Sequence, residues 1–254
     1  MMKNFCLFLL ATIALPALAA AQSVDSVAAA PKKEIQVTQK TVTAEDVIKK
    51  YIAAIGGEEV IKKISDLKIE RSAIVQQVPI VITETRKTPD KLKITIEGMG
   101  MVFQKVVVNK DKGYQEYQGM KKDLSPQELT GTLGEADLLA KLHPEKYGIT
   151  RELKGTEIVD SALTYVIEEK DATGKVTHQY YNAANGFLVR KSGNENTPQG
   201  ALPTTTSYRG YREVEGSGGY KIPGIVRQVV GTQEVVSTLK VAEVNKSIPD
   251  KEFE

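Results

Sequence analysis

The sequence is poor in the residues that most often carry enzyme chemistry. Its 254 residues include no tryptophan, one cysteine and two histidines. The cysteine, Cys6, lies in the N-terminal apolar run, so the rest of the chain can form no disulfide and can supply no thiolate. His143 and His178 are too far apart in sequence to form a spaced ligand pair. We therefore predict no metal site and no cofactor.

A catalytic constellation is also lacking. The sequence contains no G-x-S-x-G motif. The neighbouring acids Glu168 and Glu169 lie on a predicted strand, where successive side chains point to opposite faces and cannot work as a pair. We therefore predict a protein that is not an enzyme.

Charge of one sign and long apolar runs are missing as well. The 34 Lys and Arg residues nearly balance the 32 Asp and Glu residues, and no basic block is interleaved with aromatic residues. This pattern argues against nucleic acid as a partner. Beyond the N-terminus no apolar run is long enough to cross a bilayer, so we expect a protein that does not span the membrane.

The N-terminus has the pattern of a secretory signal peptide. One lysine precedes an apolar run of about a dozen residues, and Ala19 and Ala21 match the small-x-small cleavage pattern. We assign residues 1–21 to a signal peptide, residues 22–40 to a flexible polar leader and residues 41–254 to one domain. The expected location is the periplasm of a Gram-negative cell.

Residues 41–57 predict an amphipathic helix. Thr43 can act as its N-cap, and Glu45 and Asp46 place negative charge at the positive end of the helix dipole. Gly56 can end the helix because it tolerates a left-handed backbone. The apolar stripe, which needs a surface to cover, consists of Val47, Ile48, Tyr51, Ile52 and Ile55.

Most of the remaining chain alternates between apolar and polar residues, as strands do. A short helix is expected near residues 60–64, and a second helix over residues 126–142, broken near Gly131 or Gly134. Residues 192–203 are rich in Asn, Gly and Pro and predict a loop. Further strands are expected at residues 204–212, 220–230 and 234–244.

Strands separated by short turns favour one antiparallel sheet. Such a sheet can leave one face in water but must cover the other, and many twisted strands curl rather than lie flat. We therefore predict an α+β fold: a curved antiparallel sheet, or half-barrel, whose concave face is covered by the N-terminal helix and a mid-chain helix.

Two features suggest a ligand on the covered face. Met99, Met101 and Met120 lie close together in sequence, and methionine suits surfaces that bind varied apolar ligands, although ordinary core packing is the alternative. Arg71 and Arg86 share the register of apolar residues and can meet an anionic head group, unless they lie in water near strand ends. The candidate ligand-binding residues are Tyr51, Ile52, Arg71, Arg86, Ile94, Ile96, Met99, Met101 and Phe103.

Several segments, in this order, resemble a known family. R-K-T-P-D-K-L-K-I-T-I and V-V-V-N-K-D-K-G-Y-Q-E-Y are similar to the strand–Pro–strand and turn signature of LolA-type lipoprotein carriers. Y-I-A-A-I-G-G-E-E-V-I-K-K-I, Y-Y-N-A-A-N-G-F-L-V-R-K and V-N-K-S-I-P-D-K-E-F resemble the outer membrane lipoprotein-sorting protein-like proteins of Bacteroidetes. The resemblance implies a half-open barrel that is lined by apolar residues, is closed by helices and holds acyl chains.

The sequence departs from the carrier pattern at two points. Thr88 stands directly before the signature proline, where the proteobacterial carrier has a basic residue, and the chain lacks the tryptophans of that carrier. We expect a periplasmic carrier that binds a lipid, an acyl chain or a lipoprotein's acylated anchor, with an envelope protein as a further partner. The alternatives are a structural or interaction module of an envelope complex, with its cavity filled by side chains, and a hydrolase, for which no nucleophile–base pair can be named.

The signal-peptide assignment predicts the mature N-terminus. N-terminal sequencing of exported protein should begin at Gln22, or within a residue or two of it, because signal peptidase cuts after a small-x-small pattern. A mature protein that retains Met1, or carries a lipid on Cys6, would contradict the assignment.

Overall fold

Thirteen strands form a single antiparallel sheet in a computed structural model that describes residues 42–197 and 200–254. The expected signal peptide and leader lie outside the described residues. The strand order is β6-β5-β4-β3-β2-β1-β13-β12-β11-β10-β9-β8-β7, so each half of the chain forms its own run of neighbouring strands. The halves meet where the first strand pairs with the last. The strands are β1 (Asp66–Val75), β2 (Val78–Lys87), β3 (Lys91–Gly98), β4 (Met101–Asn109), β5 (Lys112–Tyr117), β6 (Met120–Asp123), β7 (Thr150–Val159), β8 (Ala162–Lys170), β9 (Val176–Asn182), β10 (Leu188–Thr197), β11 (Gly200–Glu213), β12 (Lys221–Val230) and β13 (Gln233–Val244).

The predicted N-terminal helix is confirmed as α1 (Ala44–Ala54). Thr43 forms a capping box: its hydroxyl accepts a hydrogen bond from the Asp46 amide, and the Asp46 carboxylate accepts one from the Thr43 amide, both at 3.1 Å. Gly56 follows the helix with φ +129°, and a Cβ there would stand 2.8 Å from the Gly219 carbonyl oxygen. Glycine is therefore required here for two reasons: the positive φ, and the lack of room for a Cβ atom. A short helix, α2 (Glu58–Ile61), follows.

Helix α1 shares one apolar cluster with both halves of the sheet. Its buried residues Val47, Ile48 and Ile52 belong to one apolar cluster together with residues of both halves. The Lys221 amide donates to the Ile55 carbonyl at 2.8 Å, so the end of the helix also bonds to the start of β12. The sheet residues in this cluster include Leu67 and Ile69 of β1, Ile167 of β8, Tyr181 of β9, Leu188 of β10, Ile222 of β12 and Leu239 and Val244 of β13.

A second helix, α3 (Pro126–Ala136), lies over β3 and β4. Ser125 and Glu128 form its capping box, and Pro126 occupies the first turn, as the sequence predicts. Its buried contact is an apolar cluster with β3 and β4 that also includes leucines of the helix and of the turn before it. The cluster consists of Leu92, Ile94, Val108, Leu124, Leu129, Leu133 and Ala136.

The mid-chain helix ends earlier than predicted and breaks at a different residue. No interruption occurs at Gly131 or Gly134, both of which lie inside α3. The break is at Asp137, whose carboxylate accepts hydrogen bonds from the Leu139 amide at 2.9 Å and the Tyr147 hydroxyl at 2.6 Å. An aspartate that bonds the backbone two residues on favours a turn over a further helical residue. Two short 3₁₀ helices then follow, Ala140–Leu142 and Pro144–Tyr147.

The predicted loop at residues 192–203 is wrong. Residues 192–197 belong to β10 and residues 200–203 to β11, and the two strands pair from Arg190↔Ser207 to Thr197↔Gly200. Ser192 and Gly193 also pair with His178 and Thr177 of β9. This tertiary pairing overrides the turn-like composition of the segment. The strands expected at 204–212, 220–230 and 234–244 are confirmed as β11, β12 and β13.

Ion pairs hold the C-terminal segment against the β2–β3 turn. Asp250 pairs with Lys87 at 2.5 Å and Lys91 at 2.7 Å, and these bonds lower the pKa of its carboxyl to about 2. Phe253 is buried beyond it. Within the part of the chain that the structure describes, no helix has the length and apolar character to cross a bilayer.

The docking of α1 predicts a large effect at Ile52, which is 4% exposed. Ile52→Ala should lower the free energy of unfolding by about 2–5 kcal/mol, because it leaves a cavity in the core. Ile52→Asp should cost more, because it buries an unpaired charge. Lys49→Ala, on the exposed side of the same helix, should change the free energy of unfolding by less than about 0.5 kcal/mol. Urea denaturation measures all three, and an unchanged stability for Ile52→Asp would show that α1 is not docked.

Candidate functional site

The concave face of the sheet carries charged residues within its apolar rows. In antiparallel pairing, directly opposed residues share a face. One row runs Leu67↔Arg86↔Leu92 across β1, β2 and β3, and the Leu67 and Leu92 side chains in it are completely buried. In the next row Glu84 pairs with Ile69 and Ile94. The two charges therefore face the same side as the core.

Four tyrosines stand close together beside these charges. Tyr51 projects from α1, Tyr208 and Tyr211 from β11, and Tyr220 lies just before β12. Burial raises the pKa of each hydroxyl, and the tyrosines or the nearby carboxylates raise it further. For Tyr208 the value reaches about 12. The ring of Tyr211 also stacks on Phe187, with centroids 4.3 Å apart. The cluster is thus aromatic with polar hydroxyl tips.

Arg71 reaches this cluster from β1 with part of its guanidinium unsatisfied. Its Nη2 donates to the Pro223 carbonyl at 2.8 Å. Its Nη1 is buried and has no hydrogen-bond partner. Burial lowers the pKa of the guanidinium, and Glu84 opposes that shift. A buried donor without a partner costs free energy, so a ligand that accepts from Nη1 would recover it.

Arg86 is engaged more fully. It forms an ion pair with Glu84 on its own strand, and its Nε donates to the Glu135 carbonyl at the end of α3 at 2.7 Å. The arginine therefore ties the C-terminal end of α3 to β2. Its charge also lies near Tyr51 and Tyr220, where it lowers the pKa of both hydroxyls against the effect of burial.

Glu135 adds a carboxyl to this group of side chains. The residue is exposed, and burial raises the pKa of its carboxyl, with Lys191 and Arg86 opposing that shift. We use the term central space for the part of the concave face where these interacting side chains lie: Tyr51, Arg71, Glu84, Arg86, Glu135, Lys191, Tyr208, Tyr211 and Tyr220.

A second polar network closes the far side of the concave face. Lys141 donates to the Gln179 side chain at 2.7 Å, and Arg151 bonds Glu169 at 2.8 Å. Tyr181 also donates to Gln179, at 2.5 Å. Burial lowers the pKa of Lys141 to about 8, while Glu169 raises it and Arg151 lowers it further. The network holds the 3₁₀ helix Ala140–Leu142, which includes Lys141, against the concave face of the sheet.

The structure brings together three of the predicted ligand residues, Tyr51, Arg71 and Arg86, at the central space. Ile52 lies beside them, in the core beneath α1. Ile94 packs under α3. The roles of these residues toward a ligand stay predictions.

The other predicted residues lie elsewhere. Ile96 and Phe103 pack in a third apolar cluster, with Ala73, Val75 and Ile80, near the β1–β2 turn. Met99 and Met101 are 72% and 57% exposed, and they line a groove on the outer face of the sheet. Met99 lies in the β3–β4 turn, and Met101 begins β4 at the exposed tip of the hairpin. A bulge at Phe103 pairs Val102 with Glu97 on the outer row.

The sequence pattern did not predict a place in the site for Glu84, Glu135 and the tyrosines Tyr208, Tyr211 and Tyr220. Glu84 carried a usable signal, since it is two residues from Arg86 on the same face of a predicted strand. The tyrosines had no such signal in the sequence, because their closeness in space depends on the pairing of distant strands. Among the described residues, no group of three or more His, Cys, Asp or Glu side chains could hold a metal ion.

The comparisons with known proteins agree on the fold. Neither a protein-family model nor a curated protein matches the sequence. A LolA superfamily protein from Nitrosomonas europaea has a similar structure, with TM-score 0.56 and 15% identity over 84% of this chain and 98% of that one. A DUF1329 family protein from Desulfovibrio piger has TM-score 0.55 and 11% identity over 84% and 98%.

A third solved structure is similar to a comparable degree. It is an outer membrane lipoprotein-sorting protein domain from Vibrio parahaemolyticus, with TM-score 0.53 and 10% identity over 83% of this chain and 95% of that one. The chain therefore has a LolA-like fold, a half-barrel of α+β class, as the sequence predicts.

The shifted pKa of Lys141 predicts a pH-dependent stability. Between about pH 8 and pH 10.5 the unfolded chain holds a proton that folded Lys141 has lost, so the stability should rise with pH there. The slope from one such proton is at most about 1.4 kcal/mol per pH unit. Lys141→Met should remove this slope between pH 7 and 9.5, whereas the exposed Lys146→Met should keep it. Urea denaturation at several pH values tests this, and equal slopes in all three proteins would contradict it.

Proposed function

We propose that the chain is a periplasmic carrier that binds an amphipathic ligand on the concave face of its half-barrel. The ligand is a lipid, an acyl chain or the acylated anchor of a lipoprotein. The unsatisfied Nη1 of Arg71, buried at the edge of the central space, is the observation that carries this proposal. The expected signal peptide and the LolA-like fold support the location and the class of ligand.

The central space carries more charge than the apolar cavity with Arg71 and Arg86 that the sequence predicts. Its lining combines aromatic rings with the charges of Arg71, Glu84, Arg86 and Glu135. The apolar clusters flank it, one under α1 and one under α3. Such a lining suits a ligand with an anionic head group at the centre and chains that extend toward the apolar flanks.

The energetics of the two ligand parts differ. Each methylene group that leaves water contributes about 0.8 kcal/mol, so a chain of ordinary length supplies most of the affinity. The head group supplies selectivity, because a charge-assisted hydrogen bond to a buried arginine contributes roughly 1.5–3 kcal/mol. Arg71 is better placed for this role than Arg86, which already bonds Glu84 and Glu135.

A second candidate function is a non-enzymatic interaction module of an envelope complex. The observation that favours it is the bonding among Glu84, Arg86 and the end of α3, which places protein groups in the middle of the concave face. In a module of this kind the interior would be occupied by side chains and would take up no ligand.

Ligand uptake distinguishes the two functions. Delipidated, folded protein should bind a fluorescent fatty acid saturably, and Arg71→Ala should weaken that binding by about tenfold or more. The same substitution should change the binding of an uncharged fluorescent fatty alcohol by less than about threefold, since the alcohol lacks the anionic head group. Arg227→Ala removes an exposed arginine that pairs with Glu234 on β13, and it serves as the charge-matched control.

Native mass spectrometry of protein purified from the periplasm adds a direct readout, because a retained lipid would be seen as added mass. If the folded, delipidated protein takes up neither an acyl ligand nor a lipoprotein, the carrier function is wrong and the interaction module replaces it.

A further inference from the structure

The outer face of the sheet has a groove that the proposed carrier function does not use. A row of directly paired residues crosses it from β13 to β4, on the face opposite to the core. Neighbouring strands lie about 4.8 Å apart, so the five strands give the groove a width of roughly 19 Å along this row. The row is Thr238↔Ser72↔Val81↔Glu97↔Val102.

The groove gathers large exposed apolar side chains among polar ones. Ile74 is 70% exposed and Met99 is 72% exposed, and both line it. Exposed apolar residues scattered singly need no explanation, but a contiguous group of them marks an interaction surface. Its other large apolar residues with exposed side chains are Val81, Met101, Val102 and Val236.

The charge of the groove has one sign. Its lining includes Glu70, Glu97 and Glu234 but no Lys, Arg or His. Glu70 is paired with Lys68, and Glu234 is paired with Arg227. Among the described residues Glu97 has no ion pair, although it stands in the middle of the row. Glu97 therefore leaves the lining with a negative charge that favours a positively charged group on the occupant.

The size of the groove points to a polypeptide. It encloses about 1290 Å³ and is open to solvent. Pockets for small molecules hold roughly 300–1,000 Å³ and enclose most of their ligand. A helix of about 13 residues spans the estimated 19 Å at 1.5 Å per residue. Amphipathic helices bind apolar grooves through residues at i, i+3, i+4 and i+7, and methionine-lined surfaces adapt to them.

We propose that this outer groove docks a cationic amphipathic helix of a partner protein. The apolar face of the helix would contact Ile74, Val81 and the methionines, and a lysine or arginine would pair with Glu97. The docking surface is distinct from the concave face and does not depend on the proposed carrier function.

A designed helix tests the proposal on the mature chain. The probe is a fluorescein-labelled 18-residue peptide of leucine and lysine, with leucine at i, i+3, i+4 and i+7. Fluorescence anisotropy should show saturable binding that weakens as salt is raised. Glu97→Lys and Met101→Ser should each weaken binding by about tenfold or more. A leucine–glutamate peptide of the same pattern should not bind.

Matched substitutions outside the groove serve as controls. Met120→Ser removes a methionine that is 67% exposed on β6, and Glu157→Lys reverses an exposed carboxylate on β7. Both should bind the probe as the unchanged protein does. Circular dichroism and melting temperatures of all four variants should match those of the unchanged protein, which separates lost docking from lost folding.

Five outcomes would overturn the proposal. The probe could fail to bind saturably, or bind equally to the groove and control variants. Displacement of the probe by a fatty acid would place it on the concave face. A dimer that forms without peptide and is abolished by Met101→Ser would identify a second copy as the occupant. Probe binding only after Lys32→Glu and Lys33→Glu would identify the chain's own leader as the occupant.

Discussion

The pairing of β1 with β13 is the constraint on which the rest of the structure depends. It joins the first strand of the domain to the last and so turns two runs of hairpins into one sheet. The apolar cluster beneath helix α1 draws residues from both halves. Arg71 lies on β1 beside the bulge in this pairing, and its guanidinium reaches across to Pro223 at the start of β12. The central space therefore exists only when the two ends of the domain have met.

The concave face of the curved sheet has two kinds of surface. Beneath the helices the concave face is closely packed and apolar, and it supplies stability without selectivity. Between the helices it carries Glu84, Arg86 and Glu135, which bond each other and the end of α3. Charged groups in such a place are costly unless they are paired. The Nη1 of Arg71 is buried without a partner, whereas Arg86 bonds both Glu84 and the end of α3, which is why the head-group role is assigned to Arg71 and not to Arg86.

The sequence predicts the elements of this fold better than their arrangement. Helix α1 was predictable because its cap, stripe and terminal glycine all act within one segment. The position of Arg71 on the apolar face was predictable because the two-residue period of a strand alone decides which face a side chain lies on. The strands within residues 192–197 and 200–203 were not, since the composition favours a turn and only the pairing of β10 with β11 extends both strands into this segment. The exposure of Met99 and Met101 was not predicted either, because Met99 lies in the β3–β4 turn and Met101 begins β4 at the tip of the hairpin.

The β3–β4 hairpin belongs to both surfaces of the molecule. Ile94 and Ile96 face the core, whereas Met99 in the turn and Met101 at the start of β4 line the outer groove. The bulge on β4 pairs Val102 with Glu97 on the outer row and leaves Phe103 in the inner cluster. One hairpin thus has a core face and an exposed apolar tip. A ligand on the concave face and a helix on the outer face would then contact opposite sides of β1 and β2, so each could bind without displacing the other.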